Sequence, residues 1–300
     1  MSAQSMRRSD WLLLCLLALL WGVSFFFIAV VLPSVPAFTL VTVRLALAAL
    51  ALAGVMRLRG IRLPRGARAW GGLAMLGLLN NALPFSLVAL AQGTIDSGLA
   101  SVLNATVPLF TVVLARIATS AERLTPARLG GVAAGMAGVA VMVGSGALSG
   151  GPGQAGAQML SLAAAFFYAT GTVFARRIVP GGLSPVAMAF GQLSMATLLL
   201  LPLSLLFDAP WTLPMPPPHA LAALVVLALM STAGAYLIYF RLLISAGPVN
   251  LQLVTFMIPV TALLLGVLVL GEVLVARQIA GMALIALGLV LIDGRLLRRR

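Results

Sequence analysis

Apolar runs of about 19–25 residues recur along almost the whole chain, separated by short segments rich in Pro, Gly and Arg. They occupy 11–31, 36–56, 69–91, 97–117, 126–144, 157–176, 184–207, 219–243, 250–270 and 276–294. At 1.5 Å of rise per residue, each is long enough to cross a hydrocarbon core of about 30 Å. The pattern predicts an all-α membrane protein with ten transmembrane helices. The first run follows Arg7 and Arg8, as the core of a signal peptide would. It carries Trp21 and Phe25-Phe26-Phe27 and has no clean small-residue cleavage site. It therefore reads as the first span.

The arginines orient these spans. If the N-terminus is cytoplasmic and ten spans alternate, seventeen arginines fall in cytoplasmic segments and only Arg277 on the opposite side, with Arg44 inside a span. Basic residues accumulate on the cytoplasmic side of membrane proteins, and a miscounted helix would scramble the split. Both termini are expected in the cytoplasm.

The chain also repeats itself. Pro108 pairs with Pro259, Glu122 with Glu272, Gly131 with Gly281 and Gly138 with Gly288, at offsets that differ by one residue. This divides the protein into a first five-helix repeat, 1–145, and a second, 156–295. Five is odd, so the second copy enters from the opposite side and the repeats are inverted. Inverted repeats are a recurrent build of secondary transporters, in which rocking one half against the other alternates access.

Composition narrows the class further. The chain is 62% hydrophobic and 8% charged, with a net charge of +13, whereas soluble domains carry about 25% charged residues. The arginines lie at the ends of apolar runs and form no phosphate-binding face, so no nucleic-acid partner is expected. There is no Lys, so the Lys-containing phosphate-binding loop of ATP-driven transporters is absent. The single cysteine, Cys15, makes neither an internal disulfide nor a zinc site. The single His219 follows Pro216-Pro217-Pro218 at a span edge. No metal or cofactor is expected, and no catalytic pair is visible at depth. An intramembrane enzyme and a non-transporting receptor or scaffold are the rival readings.

The candidate chemistry lies in mid-membrane positions. Arg44 sits roughly 12 Å into the second span at 1.5 Å per residue. An Arg at that depth costs at least ~2.5 kcal/mol and faces the protein interior. It reads equally as a clamp for a substrate carboxylate or as a structural pin on backbone carbonyls. Asn80, Asn81, Asn104, Gln192, Ser231, Thr232, Gln252 and Thr255 lie near the same depth, either lining a cavity or bonding between helices. Trp21, Phe85, Tyr168, Tyr236 and Tyr239 offer an aromatic wall, or ordinary core packing. Trp11, Trp70 and Trp211 read as interface anchors. Pro108 and Pro259 should kink helices 4 and 9, as hinges or as static bends. The glycines of spans 5 and 10, Gly131, Gly135, Gly138, Gly281 and Gly288, favour close helix packing. Glu122 and Glu272 are expected to cap the helices that follow them, 5 and 10, or to act in gating or coupling. Asp96, Asp208 and Asp293 read as loop or interface charges.

Several of these elements resemble the drug/metabolite transporter superfamily, in particular its ten-helix EamA-type exporters. The resemblance is carried by Leu20-Trp21-Gly22, by Arg44 within Val43-Arg44-Leu45-Ala46, and by Pro259 followed by Leu270-Gly271-Glu272-Val273-Leu274, Gly281 and Gly288. The first copy is weaker, because Ser120-Ala121-Glu122 lacks the Leu-Gly before the acid. The resemblance implies export of amino acids, aromatic ones among them, or of related metabolites through a central cavity. Four helices of each repeat would surround the cavity and the fifth would lie outside it. The expected protein is a multi-pass secondary transporter of the bacterial inner membrane, with no cofactor, lipid around it, a small-molecule substrate, and one chain sufficient as a functional monomer.

Overall fold

The structure, a computed structural model, describes residues 7–118, 126–144, 152–178, 183–246, 250–251 and 253–293. Among them every regular element is helical. We number the helices α1 (Arg8–Val31), α2 (Ala37–Leu58), α3 (Ala67–Gln92), α4 (Ser97–Asn104 and Val107–Ala118), α5 (Pro126–Gly144), α6 (Pro152–Ile178), α7 (Pro185–Asp208), α8 (Pro218–Ser245), α9 (Val254–Leu270) and α10 (Ala276–Asp293). Six of these, α1, α2, α3, α4, α7 and α8, are long and apolar enough to cross a membrane, and α5, α9 and α10 contain shorter apolar stretches. The α6 helix is the longest unbroken one, at 27 residues.

Proline sets many of the helix starts. It stands first in α5, α6, α7 and α8, where its missing N–H costs nothing and its fixed φ is already helical. Ser184 adds a hydroxyl that accepts a hydrogen bond from Ala187 N–H at 3.2 Å at the start of α7.

The largest packing pairs follow a simple rule. The α2 helix lies on α7 and α5 on α10; α1 packs on α9 as α6 packs on α4; α3 packs on α6 as α8 packs on α1. Exchanging each helix with the one five places on leaves these pairs unchanged. Lipid supplies no hydrophobic drive between helices, so contact depends on close backbone approach. Glycines provide it. A Cβ on Gly288 would meet Gly131 O at 2.5 Å and Gly135 N at 2.6 Å, and one on Gly138 would meet Gly281 O at 2.6 Å. The glycines of spans 5 and 10 thus form one seam. Gly77 lies against the Gln192 carbonyl where α3 crosses α7, and Gly22 against Ile258 and Thr261 where α1 crosses α9.

Apolar side chains face outward as well as inward. Leu12 (73% exposed), Leu50 (69%), Leu206 (78%) and Leu268 (77%) sit on the outer surface, as expected where lipid is the solvent. Trp11 and Trp211 are exposed near helix ends, and Trp70 donates its indole N–H to Pro64 O at 3.2 Å.

The helix breaks follow only part of the proline pattern. The break in α4 falls at Ala105–Thr106, just before Pro108, whereas Pro259 lies inside an unbroken helix. Sequence reasoning did not foresee the π-helical segments: one ends α7 at Ser204–Asp208, and two interrupt helices, α3 at Leu78–Ala82 and α8 at Leu229–Gly234. The starts of the latter two are separated by the offset that relates Pro108 to Pro259.

Gly288→Leu is expected to force α5 and α10 apart and to lower stability by about 1–3 kcal/mol, read as earlier thermal unfolding in detergent. Gly54→Ala, at a helical position with open space around it, should leave unfolding unchanged or delay it.

Candidate functional site

The π segments of α3 and α8 carry polar residues to the centre of the bundle. In the segment of α8, Thr232 is 1% exposed and donates its hydroxyl to Leu227 O at 3.0 Å. A π turn shifts the backbone ladder by one residue, and side chains on it commonly take up function. The same Thr232 Oγ1 accepts a hydrogen bond from Arg44 Nε at 2.8 Å. Arg44, from α2, is 4% exposed, and its guanidinium carbon lies 4.1 Å from the centroid of the Phe85 ring. Arg44 forms no ion pair among the described residues. Its charge is met by one neutral hydroxyl, the face of a ring, and the nearby phenols of Tyr168 and Tyr236. This arrangement differs from a pin on backbone carbonyls.

Aromatic rings extend from the guanidinium in two directions. Phe85 packs against Tyr168 with centroids 6.3 Å apart. Tyr236 contacts Tyr239 at 6.4 Å, and Tyr239 contacts Trp21 at 5.8 Å. Phe240 joins both tyrosines, at 6.1 and 5.2 Å; its spacing of four from Tyr236 was the available signal for it. In the π segment of α3, Asn81 is fully buried and donates from Nδ2 to the Tyr236 hydroxyl at 2.9 Å. Polar and aromatic groups from α1, α2, α3, α6 and α8 thus form one cluster.

Several buried acceptors make no hydrogen bond among the described residues, namely Asn80 Oδ1, Asn81 Oδ1, Asn104 Oδ1 and Gln192 Oε1. Buried polar atoms are nearly always partnered. Asn80 lies against Gly171 of α6, and Gln192 is buried where α7 crosses α3. Asn104 ends the first piece of α4, with no hydrogen bond or ring contact to the Arg44 cluster. Thr255 stands in the first turn of α9. Gln252 and Glu122 lie outside the described residues.

One reading is corrected. Glu272 does not cap α10. Its carboxylate accepts hydrogen bonds from Ser97 N–H at 2.7 Å and Gly98 N–H at 3.0 Å, at the start of α4. The reason is backbone direction: Gly271 ends α9 with φ 71°, a left-handed value that glycine adopts without strain, and the chain turns away from α10 there. Asp208 likewise bonds across, accepting from Thr39 N–H of α2 at 2.6 Å.

The EamA-like transporter family matches residues 9–144 and again 156–293. The chain is 30% identical over 279 residues to the uncharacterized inner membrane transporter YedA of Escherichia coli K12, covering 92% of this chain and 88% of that one. It is 29% identical to a probable amino-acid metabolite efflux pump of Salmonella typhimurium LT2, over 95% of this chain and 94% of the pump. A protein known from its crystal structure shares the fold, with a TM-score of 0.67, 22% identity and coverage of 98% and 100% of the two chains. With both halves matched and relatives aligned nearly end to end, this multi-pass inner-membrane chain belongs to the EamA-like transporter family.

Proposed function

We propose that the protein exports amino-acid-like solutes across the bacterial inner membrane by alternating access around the Arg44 cluster. One observation carries the reading. A guanidinium with five donors is buried at the centre of the bundle, and Thr232 accepts the only one of them used among the described residues. A carboxylate fits the remaining fork in a two-bond, charge-assisted geometry. The unpartnered carbonyl oxygens of the Asn and Gln side chains suit an ammonium group, which has donors only. The rings of Trp21, Phe85, Tyr168, Tyr236 and Tyr239 suit an apolar or aromatic side chain. Each part of a zwitterionic solute therefore has a counterpart. The efflux pump relatives are named for amino-acid metabolites, which agrees with this substrate class.

In this reading the chain crosses the membrane ten times, with both termini cytoplasmic. Residues 1–145 and 156–295 form inverted halves that rock about the buried cluster, with Pro108 and Pro259 as hinges. The exchange-invariant packing of helices five places apart supports that division. One chain contains a whole pathway, so the unit of function is a monomer. The work done is translocation, without bond chemistry.

Arg44→Ala is expected to abolish flux of labelled amino acids in proteoliposomes while the protein still inserts and remains monodisperse. Wild-type kinetics in that variant would sink the binding role. Tyr236→Phe, which strips Asn81 Nδ2 of its acceptor, should raise KM about tenfold, the equivalent of a hydrogen bond worth ~1.4 kcal/mol. If flux is absent for amino acids, other metabolites and cationic dyes alike, the transport reading fails.

A further inference from the structure

The N-terminus of α4 is capped by a carboxylate from the other half of the chain. Asp96 stands at the N-cap position, where an Asp side chain ordinarily accepts a hydrogen bond from the second or third helical N–H. It makes no such bond. Glu272 takes the place: Oε1 accepts from the Ser97 N–H at 2.7 Å and hydroxyl at 2.5 Å, and Oε2 accepts from Gly98 N–H at 3.0 Å. Gly98 is the second helical residue, so Glu272 holds a donor that the Asp96 side chain would otherwise use. The socket is shaped for a carboxylate from both sides. A Cβ on Gly266 of α9 would overlap Glu272 Oε2, and one on Gly98 of α4 would lie 3.1 Å from it. The left-handed turn at Gly271 aims the side chain there, with Glu272 N–H bonded to Gly266 O at 2.9 Å.

We propose that Glu272 and Asp96 are alternative caps of α4, and that exchange between them is a latch that joins and releases the two halves at this end of the molecule. With Glu272 on α4, the end of α9 is clamped to the start of α4. With Asp96 on α4, the helix is capped from within its own half and α9 is free to move. The proposal relies on the transport reading for what the latch serves; its existence rests on the capping geometry.

The exchange depends on pH in a definite direction. Partial burial, and then the Glu272 charge, hold the Asp96 carboxyl above the usual carboxylate range. The clamped arrangement therefore favours neutral Asp96. Its advantage is full below the ordinary carboxylate pKa and is lost as pH rises from there through the raised one, because ionised Asp96 repels Glu272 and competes for Gly98 N–H. Two other elements adjoin Asp96, around a cavity of about 170 Å³. Among the described residues of the lining, the α6 helix brings the neutral amides of Gln154 and Gln158, and the start of α10 brings Arg277 and Gln278.

The test uses the full chain in nanodiscs, with Cys15→Ser and spin labels at Thr94→Cys and Val273→Cys, on the two sides of the latch. Pulsed EPR should give one short distance in acid, and a longer population growing as pH rises. Asp96→Ala, lacking the competing cap, should keep the short distance at every pH. Glu272→Ala should show the longer one throughout; if that variant is not recovered, Ser97→Ala should shift the balance partly the same way. A distribution insensitive to pH in the wild type, or to Asp96→Ala, overturns the latch. So does a short distance that survives the loss of Glu272. Arg44→Ala should lose flux and keep the latch titration, so failure of the transport reading is seen separately.

Discussion

A guanidinium buried in a bundle whose solvent is lipid must find polar company inside the protein. Arg44 finds little of it: one hydroxyl and the face of a ring. Much of the architecture follows from supplying even that much. The hydroxyl belongs to Thr232, on a π segment of α8 where Leu227 O is taken up by the same side chain. The ring belongs to Phe85, just after the π segment of α3 and next to Pro84. The irregular segment of α8 therefore faces the cation, and that of α3 directly precedes the residues that do. Irregular backbone at membrane depth is tolerated where protein or a cavity satisfies it. Here the irregularity of α8 and the charge stand at one place.

The cation and its rings were legible in the sequence because they have few other reasons to exist. A single Arg in the middle of an apolar run is costly, and Trp or Tyr at that depth needs a partner. The structure brings Arg44, Phe85, Tyr168, Tyr236, Tyr239, Trp21 and Asn81 together on those terms. The π segments of α3 and α8 were not legible. One inserted residue leaves the hydrophobic pattern of a buried helix almost unchanged, since every face of it is apolar. The polar residues on them, Asn80, Asn81, Ser231 and Thr232, were the only trace.

Glu272 shows a second limit. Local reasoning assigns an acid to the nearest helix start, here α10. The backbone turn at Gly271 decides otherwise, and the partner lies 174–175 residues away in sequence. Pro108 follows a real break, but Pro259 continues within α9. A proline removes one backbone bond, and whether the helix then breaks depends on what packs around it.

Charge is divided between the middle of the molecule and its ends. No described carboxylate lies near Arg44, while Asp10 accepts from Ser245 of α8, Asp208 from Thr39 of α2, and Glu272 from Ser97 and Gly98 of α4. Each of these bonds joins a helix of one half to a helix of the other. Deep packing between the halves relies on glycine-mediated approach, which is steric and does not titrate. The carboxylate bonds lie at helix ends. A machine that must hold its solute and still change shape needs both kinds of contact. The strong, uncompensated charge belongs at the centre, where desolvation sharpens its attraction for an anion. The breakable charges belong at the ends, where a proton or a competing cap can shift the balance between two arrangements of the same helices.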